Sequence, residues 1–297
     1  MNTLRKLQKA IGLARSTLRN AATQLPGEPR GMVGPRSLVR RLRLLSLDYV
    51  EVTVTKACNL KCHSCRHLMP YYDKARNYPI ENVIRDMDAL LGCARRIAML
   101  RILGGEPFLH PHLDQLLRHL GANPKIGSLR IVTNGTLVPK PRLLEAMAAM
   151  RVAVDISDYG ATSRRLPALT EALAAHGIGY EIVGQDWLEF GKPMVRPYSE
   201  QELSDIFFKC TTMPHKCYIV SDGRFHLCAR SANAAELGIV QSRATDFVDL
   251  IATPSAEIPA AIRRLIVRSD HIEACRTCEK TFVRTEVASQ APVGRPT

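Results

Sequence analysis

The chain has 297 residues, 46% of them hydrophobic, and a formal net charge of +13. That is enough apolar material for one large domain or two smaller ones, and no run approaches the roughly 18 apolar residues of a membrane-spanning helix. No secretory signal is visible at the N-terminus. The nine cysteines are odd in number and fall in C-x-x-C spacings. This argues against a disulfide framework and for metal ligation in a reducing cytoplasm.

The charge is uneven. Residues 1–46 hold ten Lys or Arg against the single acid Glu28, a balance of +9. The remainder is only mildly basic and does not point to a nucleic-acid binder. Leu4, Leu7, Ile11 and Leu18 recur near helical spacing among basic residues. Residues 1–22 are therefore expected to form an amphipathic helix that packs on the body, docks on a partner or touches an anionic membrane surface. An Arg-rich, acid-poor start also resembles an organelle transit peptide. Pro26, Gly27, Pro29, Gly31, Gly34 and Pro35 mark a linker over 24–37.

A rhythm follows. The run YVEVTVT alternates, is β-branched and leads into Cys58, so it reads as a strand. A helix is expected over 79–93, opened by Pro79. A buried strand over 97–105 ends in glycines, and a helix over 110–121 is stopped by Gly121. Next come a strand at 128–135, a helix at 140–150, a strand at 151–157, a helix at 163–176 and a strand at 178–184. Strand and helix thus alternate about five times, which predicts a parallel sheet with right-handed crossovers. Past 185 the rhythm breaks. CYIVSDGRFHLC reads as a hairpin turned at Asp222-Gly223, followed by a helix around 256–268 and a C-x-x-C at Cys275 and Cys278. The expected organisation is an extension over 1–46, a βα body over 47–205, a smaller unit over 206–284 and a disordered tail over 285–297.

Polar residues cluster after each strand: Cys58 onward, Gly104–Glu106, Thr133-Asn134 and Ser157-Asp158. In parallel βα folds that edge carries the chemistry. Cys58, Cys62 and Cys65 place three thiols on one loop. A structural zinc wants four ligands, and His63 or His67 could complete such a set. An iron–sulfur cube held by only three cysteines would instead keep one iron open for a small chelating molecule. Cys217, Cys228, Cys275 and Cys278 make a set of four, which reads as structural zinc or a closed cluster.

The spacing C-x-x-x-C-x-x-C at the end of a first strand resembles the radical S-adenosylmethionine (SAM) superfamily, over roughly residues 48–200. The resemblance implies a fold, a partial (β/α)6 barrel followed by a small hairpin-plus-helix iron–sulfur domain. It also implies a chemistry. A [4Fe-4S] cluster on Cys58, Cys62 and Cys65 binds SAM at its open iron, and one electron cleaves SAM to a 5′-deoxyadenosyl radical that abstracts hydrogen from substrate. The GGEP run (Gly104, Gly105, Glu106, Pro107) looks like the family's SAM-ammonium motif. Thr133, Asn134 and Ser157 stand where the family contacts the SAM ribose or carboxylate. Ser64 replaces the aromatic residue many members carry before the third cysteine, where it helps hold the adenine.

A hairpin C-(x)n-G-x4-C followed by a late C-x-x-C is similar to the twitch domain, the short form of SPASM. The resemblance implies an auxiliary [4Fe-4S] cluster on Cys217, Cys228, Cys275 and Cys278, with Cys210 as an alternative ligand. Some twitch members use that cluster as electron acceptor in alcohol oxidation. Others epimerise sugars or peptides, or modify ribosomally made peptides. The expected activity is therefore oxidation of a polyol or sugar derivative, with a reducing partner such as flavodoxin or ferredoxin. A second reading is an epimerase in which Cys210 returns a hydrogen atom; a third is peptide modification. From another class comes a zinc-stabilised α/β binding protein without catalysis. Asp158 and Tyr159 are candidates for substrate contact or a catalytic base, against a plain turn closed by Gly160. Tyr71 or Tyr72 could line the cavity. Cys93 reads as core, and His110 and His112 as surface or capping residues.

Overall fold

A computed structural model describes residues 44–63, 65–183, 187–210 and 217–285. The expected N-terminal helix, the linker, Ser64 and the tail beyond residue 285 lie outside these residues. The described residues hold together as one compact unit.

The βα rhythm is present. Strands β1 (Leu45–Thr55), β2 (Ala94–Gly104), β3 (Ile126–Thr133), β4 (Ala153–Ser157) and β5 (Tyr180–Val183) pair in parallel, each with the next. Between them run α1 (Ile80–Cys93), α2 (Leu113–Gly121), α3 (Pro141–Ala149) and α4 (Leu166–Ala175). A sixth parallel strand lies on the far side of β1. Beyond β1 the sheet continues with β7 (Tyr218–Ser221), parallel to β1, then β8 (Arg224–His226) and β9 (Phe247–Asp249), both antiparallel. The order is β5-β4-β3-β2-β1-β7-β8-β9. The expected hairpin of the second unit is thus built onto the same sheet as the βα body. Its turn is the expected one, with Asp222 and Gly223 both at positive φ. Asp86 of α1 anchors that turn by accepting the Gly223 N–H at 2.7 Å.

Several elements, β9 among them, were not read from sequence. Helix α5 (Glu200–Lys209) opens with a capping box between Ser199 and Glu202. The expected boundary at 205/206 falls inside this helix. Helix α6 (Ala229–Glu236) is mostly buried despite its alanine-rich, polar sequence. Strands β6 (Trp187–Glu189) and β10 (Val283–Thr285) form a separate antiparallel ribbon. Helix α7 (Ile258–Ile266) matches the expected late helix.

The period-two alternation of the strands decides the two faces. Val50, Val52, Val54, Leu100, Ile102, Ile131, Val154 and Ile156 belong to the main core with the apolar stripes of the helices. Alternate residues face the other way. There Leu103 and Val132 pack with Ile219, Ala229 and Ala232 of β7 and α6. This inner face is therefore partly covered by α6. Among the described residues no helix is long and apolar enough to cross a membrane.

Candidate active site and two cysteine sets

Strand β1 delivers the chain directly into the first cysteine loop, and the end of β2 passes against it. Gly105 donates to Thr55 O and Glu106 donates to Ala57 O, each at 2.8 Å. The approach leaves no room for a side chain. A Cβ on Gly104 would stand 2.2 Å from Thr55 O, and one on Gly105 would stand 2.0 Å from Ala57 O and 2.9 Å from Cys58 Cβ. The two glycines are thus what lets the second strand end beside the first thiol.

Glu106 is fully buried. Its carboxylate accepts from Thr133 Oγ1 at 2.9 Å, Asn134 N at 2.8 Å and Phe108 N at 3.1 Å. Burial pushes its carboxyl up to about 7, against the pull of those three donors. In this arrangement Glu106 joins the ends of β1, β2 and β3. Pro107 follows in a short 3-10 turn. Asn134 donates its side-chain amide to Asn59 at 2.9 Å and makes a long contact, 3.9 Å, with Cys58 Sγ.

Around the thiols the donors converge as a cluster would require. Leu60 N points at Cys58 Sγ at 3.4 Å. Backbone N–H groups of Met69, His67 and Leu68 face Cys65 Sγ. Burial nonetheless pushes Cys58 up to about 12 and Cys65 up to about 11. Buried thiols with N–H donors but no cation favour the thiolate only once a positively charged cluster is bound. Tyr159, after β4, packs on this trio; burial first, then the thiols of Cys62, Cys65 and Cys58, raise its hydroxyl. Its N–H is held by Ser163 Oγ at 2.9 Å. Asp158 accepts from Gly160 N at 2.8 Å, an Asx turn. Ser157 ends β4. His63 is exposed. His67 is held neutral, far below its ordinary range, by burial and then by Arg66 and Lys56.

Four cysteines of the second half of the chain meet at one place. Cys210, Cys228, Cys275 and Cys278 line one small apolar cavity with Ile206, Phe207 and Phe190. Cys210 arrives there as the C-terminal cap of α5, and Cys228 as the N-terminal cap of α6 with its sulfur facing Ser231 N at 3.4 Å. Cys275 and Cys278 flank the end of a 3-10 turn. Burial raises Cys228 to about 12, and Cys275 and Cys278 upward as well. Arg230 lines the cavity while binding Phe190 O and Gly191 O at 2.8 and 2.6 Å. Cys217 does not line this cavity, but it meets Arg66, which does, and it also faces Glu51 and Arg101. Among the described residues no three His, Cys, Asp or Glu side chains converge closely enough to grip a single metal ion. A cubane is held by thiolates spread farther apart than those around one zinc.

Between the two sets lies Arg66. It follows Cys65 in the chain, lines the second cavity, and pairs with Glu51 at 3.0 and 3.2 Å. Sequence reasoning missed it, along with Lys56. The Lys56 ammonium is fully buried. It donates to Asn233 at 2.6 Å, pairs with Glu236 at 3.0 Å and lies over the Tyr72 and Tyr78 rings. Tyr71 and Tyr72 line a cleft of about 750 Å³ with Arg76 and Glu236. Cys93 is core and donates to Leu90 O. His110 bonds Tyr78 O at 2.9 Å and accepts from His112 N at 3.2 Å, a structural link.

Residues 52–162 match the model of the Radical SAM superfamily. The chain carries a radical SAM domain. GTP 3',8-cyclase of Helicobacter pylori (strain HPAG1) is 34% identical over 96 residues, covering 32% of this chain and 29% of that protein. The cyclase of Pelotomaculum thermopropionicum is 31% identical over 116 residues, 37% and 34% of the two chains. The chain thus spans about a third of the length of the curated relatives it matches. Among solved structures, BtrN in complex with AdoMet and 2-DOIA is similar at 14% identity and TM-score 0.48, over 83% of this chain and 97% of that one. Native anSMEcpe with bound AdoMet is similar at 18% identity and TM-score 0.37, over 46% and 44%. The radical SAM domain brings with it one [4Fe-4S] cluster and SAM, and the trio beside Glu106 and Asn134, with Cys62 buried and Cys58 and Cys65 half-buried, suits that donor set.

Proposed function

We propose that the chain is a two-cluster radical SAM enzyme that oxidises a small polyol or sugar derivative. The observation that carries this reading is the separation of the thiols into a trio at the strand ends and a quartet around an apolar cavity. When bound, the first cluster with SAM supplies hydrogen-atom abstraction from an unactivated carbon, and a second cluster supplies an electron acceptor. Cys58, Cys62 and Cys65 would hold the first. Gly104 and Gly105 bring the second strand's end up to that loop, Asn134 borders it, and Ser157 would reach SAM from the end of β4. Cys210, Cys228, Cys275 and Cys278 would hold the second, with Phe190, Ile206 and Phe207 excluding water from it. Cys210 replaces Cys217 in this assignment because it lines the cavity and Cys217 faces Arg66 and Glu51.

That placement of Cys217 favours a second reading. A thiol on the inner-face side, beside Glu51, is suited to return a hydrogen atom to a substrate carbon, which is epimerisation. The two outcomes separate in D2O once a substrate is in hand. Oxidation removes two hydrogens and brings no deuterium to carbon. Epimerisation places deuterium at the inverted carbon, and Cys217→Ala abolishes it. For the cluster assignment, iron and sulfide are quantified in anaerobically reconstituted protein. About eight irons per chain are expected for two cubes, and zinc without sulfide would end the enzymatic reading.

A further inference from the structure

We propose that the inner face of the sheet holds a substrate oxyanion, a phosphate or carboxylate, on a row of guanidinium groups. This rests on the reading of the chain as a radical SAM enzyme acting on a small molecule, and it names that molecule's chemistry. Glu51, Arg101 and Arg130 are register partners on β1, β2 and β3. Asp155 and Glu181 are partners on β4 and β5. All five occupy positions alternate to the helix-packed ones, so they share the inner face. Arg66 closes the row from the cysteine loop by pairing with Glu51 at 3.0 Å.

The row is not explained by stability. Buried ion pairs pay heavily in desolvation, and apolar residues of similar volume are often as stable or more so. Three strands nevertheless place a charge at one level, and Asp155 and Glu181 sit two residues further along β4 and β5. Exposure within the row is lopsided. The Glu51 and Asp155 side chains are 3% and 1% exposed, whereas Arg66, Arg101 and Arg130 are 26%, 29% and 13% exposed. The carboxylates lie behind and the guanidiniums in front. Asp155 fixes two of them at once, accepting from Arg130 Nε at 2.6 Å and pairing with Arg101 Nε at 2.7 Å. Glu181, 69% exposed on the edge strand, is Arg130's other partner at 3.0 Å. Water screens Glu181. The remainder is three cations against two buried anions, an excess of one positive charge presented as planar forks. Such forks match phosphate and carboxylate oxygens bidentately. An incoming oxyanion would displace Glu181 from Arg130 and span to Arg101.

The test is calorimetric titration of the reconstituted full chain at low ionic strength, with inorganic phosphate in one arm and acetate in the other. Saturable binding at one site is expected, and the tighter arm tells phosphate from carboxylate. Arg101→Gln should weaken that binding at least tenfold, and Arg101→Lys by less. Glu181→Gln, which removes the competing carboxylate, should tighten it severalfold; a merely structural ion pair would not give that gain. Arg118→Gln, an exposed charge on α2, should leave it unchanged. The proposal is overturned if neither anion binds saturably, if Arg101→Gln binds as wild type, or if Arg118→Gln costs as much as Arg101→Gln. Iron content and 5′-deoxyadenosine release are measured on the same wild-type preparation. Clusters and SAM cleavage without anion binding would sink this inference alone. Anion binding by a chain that takes up no iron would sink the radical SAM reading instead.

Discussion

Gly105→Ala perturbs the close approach on which the first cysteine loop depends. The added Cβ would meet Ala57 O at 2.0 Å, Ala57 C at 2.5 Å and Cys58 Cβ at 2.9 Å, where ordinary contact begins near 3.4 Å. The nearest atoms are backbone, so no rotamer relieves the overlap. Loop and strand must part by about 1.4 Å, the difference between 3.4 and 2.0 Å. That strains the Gly105 N to Thr55 O and Glu106 N to Ala57 O hydrogen bonds, at 0.5–1.5 kcal/mol net each, for a loss of roughly 2–3 kcal/mol with the disturbed packing. Gly92, within α1, has nothing within 4 Å of its Cβ position. There alanine should stabilise by about 1 kcal/mol through helix propensity. The assay is iron per chain after reconstitution together with the apparent melting temperature. Gly105→Ala should lose the trio's share of iron and melt several degrees lower; Gly92→Ala should keep full iron and melt no lower. Full iron and SAM cleavage in Gly105→Ala would refute the argument that this contact shapes the cluster loop.

Three other expectations follow from the same geometry. Cys210→Ser and Cys228→Ser should each lose about half the iron while Cys217→Ser keeps it all; iron loss in Cys217→Ser, with none in Cys210→Ser, reverses the ligand assignment. Lys56 is pulled down by burial, though Glu236 opposes it; burial would raise Glu236, but Lys56 and the Tyr78 and Tyr72 hydroxyls hold it below its ordinary value. Glu236→Ala strands the ammonium in the interior and should cost about 3–5 kcal/mol. Lys56→Met leaves a carboxylate with 22% exposure and should cost less, so equal or inverted losses in thermal melts would contradict the pairing. Glu106, raised from 4.5 to about 7, keeps its proton in the folded chain where the unfolded chain has lost it. In protein not yet loaded with iron, its contribution is fully present below pH 4.5 and is lost as pH rises to 7, on the order of 3 kcal/mol in total. Glu106→Gln should flatten that part of the stability profile, and an unchanged slope would speak against the burial argument.

The βα rhythm, the three-cysteine loop, the GGEP approach and the Asp222-Gly223 turn were legible because each is written locally, in alternation, spacing or turn chemistry. Helix α5 was equally legible through its Ser199–Glu202 capping box, and was passed over because the rhythm had already broken. Helix α6 carries no apolar stripe; its burial comes from Lys56, Tyr72 and the inner face, which sequence periodicity does not report. The choice between Cys210 and Cys217 could not be made from spacing. It depends on how α5 packs through Leu203, Ile206 and Phe207, which delivers Cys210 to the cavity. The charged row was half legible. A lone Glu51, Arg101, Arg130 or Asp155 inside an apolar strand marks an inward position, but only the register across strands 25 to 50 residues apart in sequence, set by the βα crossovers, shows that they meet.

The central claim is that the thiol trio, and not the quartet, supports SAM cleavage. The direct measurement is 5′-deoxyadenosine release from SAM by dithionite-reduced, reconstituted protein carrying Ala at Cys58, Cys62 and Cys65, beside wild type and Cys228→Ser. Release is predicted from wild type and Cys228→Ser and none from the triple variant, which should still retain about four irons. Release from the triple variant would contradict the account.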